Sequence, residues 1–172
     1  MKRFKTFLNE SPMVTDEMEN TKEEPRLGHP KNESKRQTMS TIGDHTVKKF
    51  SLGPGRSAYT LHAPDNKITL TAAGKAGEGN KFYEDSLDSS TKAPIKAHEF
   101  YHHLVTNHDI HLHSDTLHSP GAKKVWSKLH GMEGTKTQAY NDITKKYTDI
   151  PHSESLDSHY GKYNTRISVK KA

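Results

Sequence analysis

"KAHEFYHHLVTNHDIHLHSD", residues 96 to 115, changes its period half-way along. In the first half Ala97, Phe100, Tyr101, Leu104 and Val105 fall at helical spacing. At 100° per residue they make one continuous apolar stripe, a face that has to lie on a sheet. Past Asp109 the period becomes two: Ile110 and Leu112 alternate with His111 and His113, as in a half-buried strand. The stretch therefore predicts a helix over 94–106, with Ser89, Ser90 or Thr91 as its cap and Pro94 in its first turn, followed by a strand.

Working downstream, "SPGAKKVWSKLHG" opens with a Ser-Pro start signal. It carries Ala122, Val125, Trp126 and Leu129 at helical spacing and closes at Gly131. "TQAYND", "KKYTDI" and "TRISVKKA" read as late strands around a polar loop at 151 to 162. Upstream, "VKKFSL", "SAYTLHA" and "KITLTAA" are short strand-like runs parted by "GPGR" and "PDN", which is hairpin punctuation, and "KFYEDSL" reads as one more strand. The order is strands, helix, strand, helix, strands. It predicts an α+β fold with a mixed, mostly antiparallel sheet and helices packed on it. Phe100, Leu104, Ile110, Leu112, Val125, Trp126 and Leu129 are the expected core of the helix–strand–helix unit.

Only 30% of the 172 residues are hydrophobic and the mean hydropathy is −0.99, so a core that fills the whole chain is not expected. Residues 11 to 45 mix both charges with Pro, Ser, Thr and Asn and show no apolar period. They read as a disordered linker, which leaves 46 to 172 for one domain. The chain contains no cysteine, which excludes disulfides and thiolate metal sites. No run approaches the length of a membrane span, so a soluble protein without a membrane partner is expected. The net charge of +5 is carried by separated lysine pairs, with no block interleaved with aromatics, so a specific nucleic-acid partner is not expected.

One motif carries chemistry of its own. His98-Glu99-x-x-His102 would place two imidazoles on one side of a helix, where they could ligate Zn²⁺ with Glu99 as general base. His108, six residues on, could be the third ligand. Val105 stands where the long metzincin signature has the glycine that turns the chain. Thirteen histidines in the chain also make short histidine motifs easy to generate. A compact zinc metallopeptidase and a wet, histidine-rich helix face both remain open readings. On the wheel, His98 sits at the edge of the apolar stripe while Glu99, His102 and His103 turn toward water.

"KFYEDSLDSSTKAPIKAHEFYHHLV" together with "DIHLHSDTLHSPGAKKVWSKLHG" resembles the second half of the GNAT acyltransferase fold as it occurs in proteins of tailed bacteriophages. The most recognisable piece is "HSDTLHSPGAKKVWSKL", a strand ending in Ser114-Asp115, then Ser119, then a helix with Trp126 and Leu129. The resemblance covers residues 47 to 172 in topology and 80 to 131 in pattern. It implies acetyl coenzyme A as cofactor, with its pyrophosphate held by the turn Lys92-Ala93-Pro94-Ile95-Lys96-Ala97 at the helix N-terminus. Lys92, Lys96 and Ala97 suit that role. Ile95 replaces the glycine of the family turn and Pro94 removes an N–H donor, so acyltransfer is not expected to survive unaltered. "MKRFKTFLNE" is similar to the capsid-targeting peptides of internal head proteins, and Leu8-Asn9-Glu10 fits cleavage after Glu10, before Ser11. The resemblance implies a virion-head or host-cytoplasmic location, with the capsid interior or a host protein as partner. A purely structural virion protein is the remaining alternative.

Overall fold

A computed structural model describes residues 35–90 and 93–172. Nine strands form one sheet: β1 (Gln37–Ile42), β2 (His45–Gly53), β3 (Arg56–His62), β4 (Ile68–Ala76), β5 (Lys81–Ser89), β6 (His111–His113), β7 (Thr135–Asn141), β8 (Tyr147–Ile150) and β9 (Thr165–Lys171). Among the described residues two α-helices, α1 (Ala97–His108) and α2 (Pro120–His130), and a short 3-10 turn at Leu156–Ser158 complete it. The spatial order is β1-β2-β3-β4-β5-β6-β9-β7-β8. The expected α+β class with a mostly antiparallel sheet is what the chain adopts. The β5–β6 pair is parallel and every other pair antiparallel. The α1 crossover is what allows two parallel neighbours.

The first five strands are a meander, and the β2–β3 and β3–β4 turns fall at the expected "GPGR" and "PDN" punctuation. Two boundaries differ from expectation. Gln37–Ile42 is a strand paired with β2, so the expected linker over 11–45 ends too late. Its alternation is too weak to see in the sequence, because β1 is an edge strand that buries little. Residues 11–34 of that segment, and the 1–10 peptide, lie outside the described residues. Helix α1 begins at Ala97 and not near residue 94, since β5 keeps pairing with β4 as far as Ser89 opposite Leu70. Ser89 therefore belongs to a strand and Lys96 is the N-cap residue. Helix α2 starts where its signal lies: the Ser119 hydroxyl accepts the Ala122 N–H at 3.1 Å.

One core unites both helices with one side of the sheet. Phe100, Tyr101, Leu104 and Val105 of α1 meet Val47, Tyr59, Leu61, Leu70 and Phe82 of the meander, and Trp126 and Leu129 of α2 close the layer together with Leu112, Ile167 and Val169. All seven expected core residues belong to this cluster, Val125 at its margin.

Strand β5 carries a bulge near its middle. Its register against β4 slips between Ala73 and Gly74, leaving Asp85 as an extra residue. The bulge keeps Glu84 and Leu87 on the helix side together. A Cβ at Gly74 would lie 2.1 Å from the Tyr83 carbonyl oxygen, so only glycine lets the two backbones approach.

Candidate functional site at the seam between β5 and β6

The parallel ladder is three pairs long, Lys81 with His111, Phe82 with Leu112 and Tyr83 with His113. Beyond it the strands part. The Ser114 N–H turns away from β5 and donates to the Ile167 carbonyl of β9 at 2.8 Å. Glu84, the first β5 residue past the ladder, points to the helix side and is only 8% exposed.

Burial pushes the Glu84 carboxyl up to about 8, and the charges of Asp115 and Asp85 add to the rise. Tyr101, wholly buried on α1, opposes it weakly. Its hydroxyl lies beside Glu84 without a hydrogen bond of ordinary geometry, and the phenol is itself driven upward, by burial first and then by the Glu84 charge. At neutral pH Glu84 is thus a protonated acid in a nearly closed seam. It holds a proton and cannot accept one.

The far wall of the seam is a hydrogen-bonded lock. The Ser114 hydroxyl donates to the Asp115 carbonyl at 2.8 Å and accepts the Ile167 N–H at 2.9 Å. Its only proton is so committed, which makes His118 Nε2 the donor in their 2.8 Å bond. His118 is neutral, since burial holds it down to about 4 against the pull of Asp115. Arg166 ties the seam to β9, its Nε donating to both Asp142 carboxylate oxygens at 2.9 and 2.8 Å and its Nη1 to the Ser114 carbonyl at 2.9 Å.

The motif residues go elsewhere. Glu99 closes a capping box: its carboxylate accepts the Lys96 N–H at 2.7 Å, at the N-terminus of its own helix. His102 Nε2 donates to the Glu133 carbonyl at 2.8 Å. His108 pairs with His103, both ring Nε2 atoms meeting the Ser40 hydroxyl, at 2.6 and 2.8 Å. His98 stays near Lys128, and burial lowers its pKa. The three histidines of the long motif do not converge. Among the described residues no group of three or more His, Asp or Glu side chains is placed to hold a metal ion. Of the turn implied for coenzyme A, Lys92 lies outside the described residues. The Lys96 ammonium is bent back onto the Ala93 carbonyl at 2.9 Å, and Ala97 packs against the core.

The sheet side opposite the helices carries a second constellation. Strand pairing sets Lys81 and Tyr83, His111 and His113, Arg166, Ser168 and Lys170, Lys136, Gln138 and Tyr140, and Tyr147 on this one face. Tyr83 stacks on His113 with centroids 4.5 Å apart, and His111 stacks on Tyr147 at 5.4 Å. His113 Nδ1 donates to the His111 carbonyl at 3.2 Å, so its Nε2 accepts the Tyr147 O–H at 2.9 Å. Burial holds His113 down to about 3 and His111 to about 4, so both are neutral.

No family model, no curated protein and no solved structure matches the chain. No helix among the described residues is long and apolar enough to cross a membrane. Sequence reasoning missed Glu84, Tyr101, His118 and the tyrosines of the open face. The signal for Glu84 was present: it is an acid at an apolar-side position of a strand.

Proposed function

We propose that the chain is a GNAT-like protein of the tailed-bacteriophage type that does not transfer acyl groups from coenzyme A and acts by binding, in the virion head or on a host component. The seam carries this reading. A single parallel pair in an otherwise antiparallel sheet opens after three residues, a helix starts on the opening side, and the last strand is inserted between β6 and β7. With the resemblance around "HSDTLHSPGAKKVWSKL", this mostly antiparallel α+β arrangement is what supports the reading. The proposed loss of coenzyme binding has its own support. The positive end of α1, where a pyrophosphate would sit, is filled by the Glu99 carboxylate of the same helix. Pro94 and Ile95 spoil the turn before it, and Glu84 is protonated at neutral pH and unfit as a base.

Titration calorimetry with acetyl coenzyme A tests this directly. No binding is expected up to millimolar ligand, and micromolar affinity would overturn the reading. Location is tested by N-terminal mass analysis of the protein from purified phage heads, where a chain beginning at Ser11 is expected.

A further inference from the structure

The open face of β5-β6-β9-β7-β8 is a layer of rings fringed by cations, and Arg166 is the residue it shares with the seam. We propose that this face binds single-stranded nucleic acid without sequence preference. Tyr83 and Tyr147 are half-buried, each resting one ring face on a histidine. The cations sit over these rings, Arg166 at 5.7 Å from the Tyr83 centroid and Lys81 at 5.9 Å from that of Tyr147. Lys136 and Lys170 face each other across β7 and β9 on the same side.

Three acids answer these four cations, Asp115 lying 4.0 Å from the Arg166 guanidinium. Asp149 pairs with Lys136 at 2.7 Å and Asp142 with Arg166 at 2.8 Å, while Lys81 and Lys170 form no ion pair among the described residues. Four cations against three acids leave the face net positive by one charge, with the Lys81 and Lys170 ammonium groups outside any ion pair among the described residues. Its histidines are neutral and add rings without charge. An extended strand of nucleotides is complementary to this arrangement: a base stacks on the exposed part of Tyr147, displacing the lysine that now covers it, and phosphates run along Lys81 and Lys170, while the Tyr83 ring, already flanked by His113 and Arg166, supports the layer beside it. A duplex hides its bases in the stack and offers only phosphates, so it cannot use the rings. The side-chain amide suited to bidentate base-edge readout, Gln138, already donates to Asp149 at 2.6 Å, so sequence preference is not expected.

The test is fluorescence anisotropy of labelled 12-nucleotide oligo(dT) and oligo(U) with the full chain at 50 mM salt, beside a duplex of equal length. Micromolar binding of both single strands is expected, at least tenfold tighter than the duplex. The slope of log K against log salt should be about −1.4, from about −0.7 for each of the phosphates neutralised by Lys81 and Lys170. Lys81→Glu with Lys170→Glu should weaken binding at least tenfold and flatten the slope. Tyr147→Leu, which keeps apolar packing and removes the stacking surface, should weaken it about tenfold. Lys124→Glu with Lys128→Glu, on exposed positions of α2, should leave it within twofold. Absence of binding at 50 mM salt, equal affinity for the duplex, or indifference to the Lys81 and Lys170 changes would overturn the proposal. The lysines are at the rim, so their substitution does not threaten the fold.

Discussion

The two faces of strands β5, β6, β9 and β7 are made from alternate residues of the same few segments, yet they differ in kind. In "HLH", Leu112 enters the helix-covered core while His111 and His113 enter the ring layer on the other side. The covered face holds Phe82, Leu112, Ile167 and Val169 against Trp126 and Phe100, and its stability comes from apolar area removed from water. The open face is held by stacked rings and by bonds such as His113 to Tyr147, and it leaves cations at its edge. A β-strand can stabilise a fold with one face and present chemistry with the other, because its side chains alternate. The seam is the exception. There a carboxyl, Glu84, sits on the covered side.

The strongest test of the covered face is Trp126→Ala. The ring is 1% exposed, and its removal should cost about 3 to 5 kcal/mol in urea denaturation. A midpoint that does not move would mean that α2 is not part of the core.

Glu84→Gln tests the exception. The wild-type carboxyl is raised from its usual value to about 8, so the unfolded chain loses that proton more readily than the folded one. Stability is therefore lost as pH rises from about 4.5 through 8, on the order of 5 kcal/mol in all. The glutamine variant should lack this slope and be more stable than wild type at pH 8, by less at pH 5. His111, His113 and His118 slope the other way. Their folded values of about 4, 3 and 4 lie below that of a free histidine, so their contribution is intact above about pH 6.5 and fades as pH falls toward 4. Acid unfolding should thus survive in the Glu84→Gln variant and weaken when His113 is replaced by Phe.

Gly74→Ala sharpens the role of the bulge. The new methyl would collide with the Tyr83 carbonyl, and the shift needed should cost about 1 to 3 kcal/mol. It should also move Tyr83, on the open face, so oligo(dT) affinity is expected to fall along with stability. The smallest effect is expected for Glu99→Gln, which keeps the capping bond but removes the charge at the α1 N-terminus, at about 0.5 kcal/mol. A change that abolished a metal-dependent activity would instead restore the peptidase reading.

Much of the fold was legible because its signals are local. The stripe through Phe100, Tyr101, Leu104 and Val105, the alternation of Ile110 to His113, and the Ser119-Pro120 cap each need only a few neighbours along the chain. Strand β1 was missed because an edge strand buries too little to impose a pattern. The start of α1 was misplaced because Ser89 is held in β5 by Leu70 of β4, a partner distant in sequence. The histidine motif stayed open in the sequence for a related reason. His98, Glu99 and His102 do share a helix, but convergence on a metal requires a third element, and His108 is drawn instead to Ser40 on β1.

The sequence by itself determined the α+β class, the two helices with their apolar faces, the absence of any cysteine chemistry and the departures of Pro94 and Ile95 from a phosphate-binding turn. These come from composition and short-range periodicity. Only the tertiary structure decided that β9 lies between β6 and β7, that the ladder opens at Glu84, and that Lys81, Lys136, Arg166 and Lys170 gather around Tyr83, Tyr140 and Tyr147. Strand pairing is what brings these together, and pairing joins residues whose separation along the chain leaves no trace in any local pattern.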